Sequence, residues 1–354
     1  MEIRAARPSE RDEVLDLLGL WFGDRDFFAR YNENDRKFRD RLCLVARDGG
    51  ALVSTVQIFD RAINLDGQSV PMGGIGSVFT RDDYRHKGVA SALMRLAVET
   101  MAREGFEVSL LFAERLTFYN QFGWREVLRK FSLVANTQTL RVPTRYQIDV
   151  FDPSRHLAPI AALHRAYSGR FNVTAMRDDA DWTGNLVYAG NQPEQPGAGS
   201  KEYFVLCRDG GRIQAYARAM PFAGVAMVME YGYEDGAEDA MLALFKHLGE
   251  AAAGRPNTFQ LVGNHRGAAI LSLDKSADAS DALVTHTAHD PHLEDHLAKA
   301  GAVVNHHDDR NYMWRVIAPE NLARRFGTSA EEASQRAFAM FENPRSLYWT
   351  SDRF

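Results

Sequence analysis

The chain has 354 residues, 45% of them hydrophobic and 25% charged, with a formal net charge of −5. That length exceeds one ordinary core and predicts at least two domains, and the composition is that of a globular protein in water. The acidic balance excludes nucleic acid as the main partner, since no basic field is available to neutralise phosphates along a strand. Cys43 and Cys207 each sit in an apolar stretch and read as buried thiols, giving neither a disulfide framework nor a zinc pattern. The start, Met1-Glu2-Ile3-Arg4, lacks a signal-peptide core. No apolar run approaches the ~20 residues of a membrane span. The expected compartment is the reducing cytoplasm, with no membrane partner.

In chain order, Leu44–Gly50 reads as a strand entering a tight turn, and Val205–Gly211 reads the same way. Both carry Arg-Asp-Gly-Gly, a hairpin signal because these residues tolerate positive φ. A β-like segment follows each turn, Ala51–Phe59 and Arg212–Met220. In the first half, strand Ile75–Phe79 leads to a helix from about His86 to Ala102, with Val89, Leu93, Leu96, Ala97 and Met101 on one face. Strand Val108–Phe112, a short helix over Leu116–Gln121 and strand Val127–Val134 follow. In the second half the order repeats: strand Ala226–Tyr231, helix Glu238–Ala252, strand Thr258–Val262, helix His292–Ala300 and strand Tyr312–Ile317. Residues 135–150 read as a linker and Gly190–Gly199 as a loop. A helical segment over Pro319–Phe341 precedes an ending too aromatic for a solvated tail. The expected fold class is therefore α/β (α+β). Two tandem mixed-sheet units are expected, over 1–135 and 150–317, with a short tail over 318–354 docking on the active-site region.

The most informative segment is Arg85-His86-Lys87-Gly88-Val89-Ala90, a basic turn between a strand and an amphipathic helix. A helix N-terminus offers unpaired N–H groups and a positive dipole end, and Gly88 and Ala90 let an anion approach the backbone. The chemistry suits a pyrophosphate. The competing reading is an ordinary helix start with a basic surface turn, and the strand–turn–helix context favours the site.

This Arg-x-x-Gly-x-Ala pattern resembles the acyl-CoA loop of the GNAT superfamily of N-acetyltransferases. Downstream, Phe118-Tyr119-Asn120-Gln121-Phe122-Gly123-Trp124 resembles that family's final motif. The resemblance implies acetyl-CoA as co-substrate and no metal. Its binding residues would be Val78, Phe79, Thr80, Arg85, His86, Lys87, Gly88, Val89 and Ala90. It also implies that Tyr119 protonates the leaving thiolate, a task suited to a phenol that is neutral at pH 7. The bland alternative for Tyr119 is a core residue beside Leu116 and Phe122. More closely, the chain resembles the enhanced-intracellular-survival (Eis) type, two fused GNAT units followed by a sterol-carrier-like domain. Here the segment after Ile317 is too short for that full domain, which leaves the group's oligomer and its aminoglycoside activity without support. A homo-oligomer stays open.

In the second unit the phosphate loop is replaced by Tyr233-Glu234-Asp235-Gly236-Ala237-Glu238-Asp239, whose carboxylates repel a pyrophosphate. Aligning the helix stops Gly301 and Gly123 puts Leu297 where Tyr119 stands. This unit reads as a degenerate scaffold. His286, His289, His292, His296, His306 and His307 carry no metal-site spacing beyond a weak i, i+4 pair and read as ordinary surface residues.

For the acceptor, Trp21, Asp24 and Asp26 after the first helix offer aromatic faces and carboxylates for a cationic amine, and Glu114 follows strand Val108–Phe112. Core packing plus a surface loop accounts for Trp21–Phe28 equally well. The glycines Gly73, Gly74 and Gly76 predict a bulge that splays the Ile75–Thr80 strand, with a backbone N–H near Val78 meeting the oxyanion. That strand carries no carboxylate base. In the Eis-like and myristoyltransferase groups the terminal carboxylate reaches the active site, so the resemblance puts Phe354 forward as base or amine anchor. The expected reaction is acetyl transfer to a primary amine of a small molecule or peptide. Transfer of another acyl or aminoacyl group, or a non-catalytic acyl-CoA-binding module, are the alternatives.

Overall fold

The computed structural model describes residues 1–22, 25–188, 203–222, 225–253 and 282–353. The first half comprises β1 (Glu2–Ala5), α1 (Arg11–Phe22), α2 (Arg25–Asn34), β2 (Cys43–Asp48), β3 (Ala51–Leu65), β4 (Gln68–Thr80), α3 (Val89–Glu104), β5 (Val108–Phe112), α4 (Leu116–Asn120) and β6 (Arg125–Glu126). It continues with β7 (Arg129–Ala135), β8 (Gln147–Val150), α5 (Pro153–Ser168), α6 (Asp179–Tyr188), β9 (Tyr203–Asp209), β10 (Arg212–Phe222), β11 (Val225–Tyr233) and α7 (Glu238–Ala253). The last elements are β12 (Ala282–Thr287), α8 (Pro291–Lys299), β13 (Val303–Asp309), β14 (Tyr312–Val316), α9 (Pro319–Phe326) and α10 (Ala330–Glu342). The loop expected over Gly190–Gly199 and the strand expected over Thr258–Val262 lie outside the described residues.

The two Arg-Asp-Gly-Gly turns join β2 to β3 and β9 to β10. Gly49 and Gly50 have φ of 55° and 89°, and Gly210 and Gly211 have 55° and 87°, so each pair of turn residues is left-handed as a tight hairpin requires.

Among the described residues the strands form two mixed seven-stranded sheets. The first runs β1-β2-β3-β4-β5-β14-β6 and the second, read from its far edge, β8-β9-β10-β11-β12-β7-β13. Sheet membership does not follow chain order. The strand expected to close the first unit, now β7, lies in the second sheet between β12 and β13. The strand expected to close the second unit, β14, lies in the first, where Tyr312–Val316 pairs antiparallel with Phe112–Val108. Both faces of β14 are buried. Met313 packs with Leu93, Ala97 and Leu111, while Tyr312 and Trp314 pack with Leu110, Leu322 and Phe341.

Other boundaries also differ from the sequence reading. The stretch read as a linker contains β8, which pairs with β9 at the sheet edge. The segment read as one helix is two, α9 and α10, parted at Gly327 and restarted by a capping box of Ser329 and Glu332. The aromatic ending is interior: Leu347 and Trp349 enter the core of the second unit, and Tyr348 enters that under α9 and α10. The Trp349 indole N–H donates to Ser168 Oγ at 3.0 Å. Among the described residues no helix is long and apolar enough to cross a membrane.

Candidate active site

Strands β4 and β5 run parallel and pair from Met72↔Val108 to Ile75↔Leu111, then part. Past that point β4 continues against β3 alone, with Gly76 facing Gln57 and Phe79 facing Thr55. Ser77 and Val78 therefore stand opposite Val56 only, a β-bulge, and Ser77 takes a φ of 49°. The bulge falls just after the glycine-rich stretch. Gly73 serves close packing instead, since a Cβ there would sit 2.6 Å from Met101 Sδ of α3. The parting leaves a cleft between the carboxyl ends of β4 and β5, where Val78 packs in the same core as Val89 at the start of α3.

Helix α3 starts at Val89, with Gly88 as its N-cap in the left-handed region at φ 79°. A Cβ on Gly88 would meet nothing within 4 Å, so the space before the helix is open. His86 is also left-handed, at φ 62°. His86, Lys87 and Gly88 are exposed, while Val89 turns into the core and Ala90 is half-buried. Arg85 donates from Nε to the Thr80 carbonyl at 3.3 Å and pairs with Asp82 at 2.7 Å. The Lys87 ammonium lies 5.0 Å from the centre of the Tyr84 ring. Val78 faces the α3 core, whereas the Phe79 ring is buried with α1 and α2. Ser54 Oγ donates to the Phe79 carbonyl at 2.7 Å and lies 2.7 Å from Thr80 Oγ1.

Tyr119 stands on α4, half-buried, with its ring edge-on to Phe118 at 5.0 Å. Its hydroxyl has no hydrogen-bond partner among the described residues. Loss of solvent pushes its pKa up to about 12, so the phenol keeps its proton. Glu114 is exposed and lines an open groove along α4 with Arg115, Leu116 and Phe118.

A second cavity lies between α2, β3, α6 and the chain's last described residues, lined by Tyr31, Asp35, Arg61, Arg177, Asp352 and Arg353 among others. Asp26, one turn earlier on α2, is exposed and not part of it. Asp24, the side chain of Trp21, and Phe354 lie outside the described residues. Arg353 reaches from this cavity to the end of β5. Its guanidinium lies 4.5 Å from the centre of the Phe112 ring, at the end of β5, and donates to Tyr312 Oη at 2.8 Å. The cavity's carboxylates face cations: Asp35 pairs with Arg61 at 3.1 Å, and Asp181 with Lys37 at 2.7 Å.

Behind this cavity is a buried charge network that sequence reasoning missed. Glu230 is fully buried, 2.6 Å from Arg177 and 3.5 Å from Arg218. It also accepts from Tyr216 Oη at 3.1 Å and from Ser351. Burial would raise its pKa, but Arg177 and Arg218 outweigh that and hold it below the usual carboxylate range. Arg177 also donates to Asp352 at 2.7 Å, tying the tail to the second sheet. Burial pushes the Asp352 pKa upward. The signal was legible in principle: a lone Glu in the apolar strand Val225–Tyr233, directly across from Arg218 in the β10–β11 register.

The second sheet repeats the cleft without its chemistry. Strands β11 and β12 are parallel and pair only at Ala226↔Val284 and Met227↔Thr285. Met229 is then bulged out of register with β10. Three residues past the last parallel pair, the first sheet has Val78 and the second has Glu230. The start of α7 carries Glu238 and Asp239, which face His292 at 3.0 Å and His296 at 2.9 Å. Leu297 is a fully buried core residue. Among the described residues no group of three or more His, Cys, Asp or Glu side chains is placed to hold a metal ion.

Residues 2–127, from β1 to just past β6, match the Acetyltransferase (GNAT) domain family. A Streptomyces avermitilis protein described as an uncharacterized N-acetyltransferase is 27% identical over 231 residues, 60% of this chain and 53% of that protein. The chain thus spans about half the length of this curated relative. Among solved structures, a probable N-acyltransferase from Enterococcus faecalis superposes with a TM-score of 0.65 at 18% identity, covering 89% of this chain and 72% of that one. Eis1 from Mycobacterium abscessus superposes with a TM-score of 0.59 at 15% identity, covering 92% and 76%. The fold is therefore GNAT-like, as the motif resemblance implies, and the cleft belongs to the span that matches the acetyltransferase domain.

Proposed function

We propose that the protein transfers an acetyl group from acetyl-CoA to a primary amine of a small molecule or peptide. The observation that carries this reading is the parting of β4 and β5 beside the open, Gly88-capped start of α3, within the span that matches the acetyltransferase domain. The N–H groups at that helix start, with Arg85, His86 and Lys87, would hold the pyrophosphate. The edge of β4 from Val78 to Thr80 would carry the rest of the cofactor.

In the reaction the amine, relieved of its excess proton by water or a nearby carboxylate, attacks the thioester carbonyl carbon. The Val78 N–H meets the developing oxyanion. As the C–S bond breaks, the thiolate takes the Tyr119 proton, and the extra proton on the new amide nitrogen leaves through water to restore the phenol. The cavity between α2, β3, α6 and the tail is the candidate acceptor site. Its carboxylates are already matched by Arg and Lys, which favours a single amine over a polycation. Glu230, where the first unit has Val78, opposes an oxyanion and supports a non-catalytic second unit.

Calorimetric titration with acetyl-CoA, paired with a thiol-release assay over a panel of primary amines, tests the reading. One cofactor per chain and amine-dependent thiol release are expected. Absence of binding would overturn the proposal. Tight binding without turnover on any amine would establish a non-catalytic acyl-CoA module instead.

A further inference from the structure

The second sheet holds a cavity at its own parting of strands, where β11 and β12 separate. It is lined by Arg129, Thr285, Asp309, Tyr312, Thr350 and Arg353 among others. Its interior is about 20 Å³, more than the roughly 10–15 Å³ that one water needs.

Arg129 is 5% exposed. Its Nη1 donates to the Asn343 carbonyl at 2.8 Å, while Nε and Nη2 have no partner among the described residues. Those two N–H groups lie on one edge of the guanidinium and point in parallel, the spacing that receives both oxygens of a carboxylate. The nearby Asp309 does not fill that role, being paired with Arg353 at 3.3 Å. Arg353 Nε and the buried Thr285 Oγ1 are likewise unpartnered among the described residues. Burial lowers the Arg129 pKa to about 10, with only weak opposition from Tyr312 and Asp309. A buried cation with unmade donors carries a desolvation cost that a bound anion relieves.

We propose that the second unit binds a small carboxylate side-on at Arg129, in a cavity separate from the cleft between β4 and β5. The second unit has lost the features of an acyl site, yet its strand parting keeps a polar, positively charged interior. The site draws on second-sheet and tail residues with Tyr312 of β14 from the first sheet, and although Arg353 also lines the candidate acceptor cavity, the open donors of Arg129 do not depend on the acetyl-transfer reading.

The test uses the full chain, with formate and acetate as probes and chloride at matched ionic strength as the reference. Thermal unfolding should rise saturably with formate or acetate beyond the chloride baseline, and calorimetry should give one site. Arg129→Lys keeps the charge but loses the planar fork, and should weaken acetate binding by roughly 10- to 100-fold. Arg129→Met should abolish the response while circular dichroism shows the fold retained. Thr285→Val provides a milder second variant, expected to weaken acetate without unfolding the chain. No saturable response in the parent protein, or an equal response to chloride, would overturn the proposal. An undiminished acetate response in folded Arg129→Met or Arg129→Lys would overturn it as well.

Discussion

Tyr119→Phe is the sharpest probe of the cleft, because the structure separates its effect on chemistry from its effect on folding. The substitution removes one oxygen and keeps the half-buried ring against Phe118. That oxygen has no hydrogen-bond partner among the described residues, so no bond is lost and no buried group is orphaned. The expected change in stability is within about 0.5 kcal/mol. The phenol's pKa of about 12 means that the parent protein carries the proton throughout the neutral range. Removing a positioned general acid costs typically 10²–10⁴ in rate, about 2.7–5.5 kcal/mol of barrier. The assay is thiol release at saturating acetyl-CoA with the best amine found, alongside calorimetric affinity for acetyl-CoA. kcat should fall by that factor while cofactor affinity and the unfolding midpoint stay put. Parent-level kcat in a folded variant would refute the acid role and return Tyr119 to simple packing.

Gly88→Ala and Gly88→Glu form a pair: both pay about 1–2 kcal/mol for a side chain at left-handed φ, but only Glu sets a carboxylate before α3, so calorimetry should show acetyl-CoA binding lost in Glu and largely kept in Ala. Glu230→Gln removes the buried charge that faces Arg177 and Arg218, and urea unfolding should report a loss of about 3–5 kcal/mol. Glu10 has its pKa lowered to about 2 from 4.5, chiefly by Arg4, whose N–H groups donate to it at 2.7 and 2.9 Å. Because the folded pKa is depressed, this pair's contribution is complete above pH ~4.5 and drains away as pH falls through ~2; Glu10→Gln should flatten the acid limb of stability measured by thermal melts.

What the sequence made legible was local. The turn residues of Arg-Asp-Gly-Gly demand positive φ, and Gly88 before an apolar-periodic helix marks an anion-ready terminus, so both hairpins and the loop before α3 could be read directly. The exchange of β7 and β14 could not. Each is a short apolar strand, buried on both faces, and nothing in its own residues names the neighbour it pairs with. The Glu230 network failed for a related reason. Arg177, Arg218, Glu230 and Asp352 come from four separate segments, and only the Arg218–Glu230 register within one hairpin was within reach. Along α2 the sequence pointed to a different stretch from the one that lines a cavity. Asp26 drew notice beside the aromatics, whereas Tyr31 and Asp35 line the cavity.

The interleaved strands set a timetable for synthesis. As the chain leaves the ribosome, β1 to β5 emerge early, but β14, which covers the open edge of β5, follows only about 200 residues later. At ordinary elongation rates of roughly 5–20 residues per second the nascent first unit waits some 10–40 s with that edge unpaired. During that wait β5 is a template for any passing strand. A chain truncated before residue 312 would never leave this state, so excising the first 135 residues as a minimal enzyme should yield a protein that clings to chaperones.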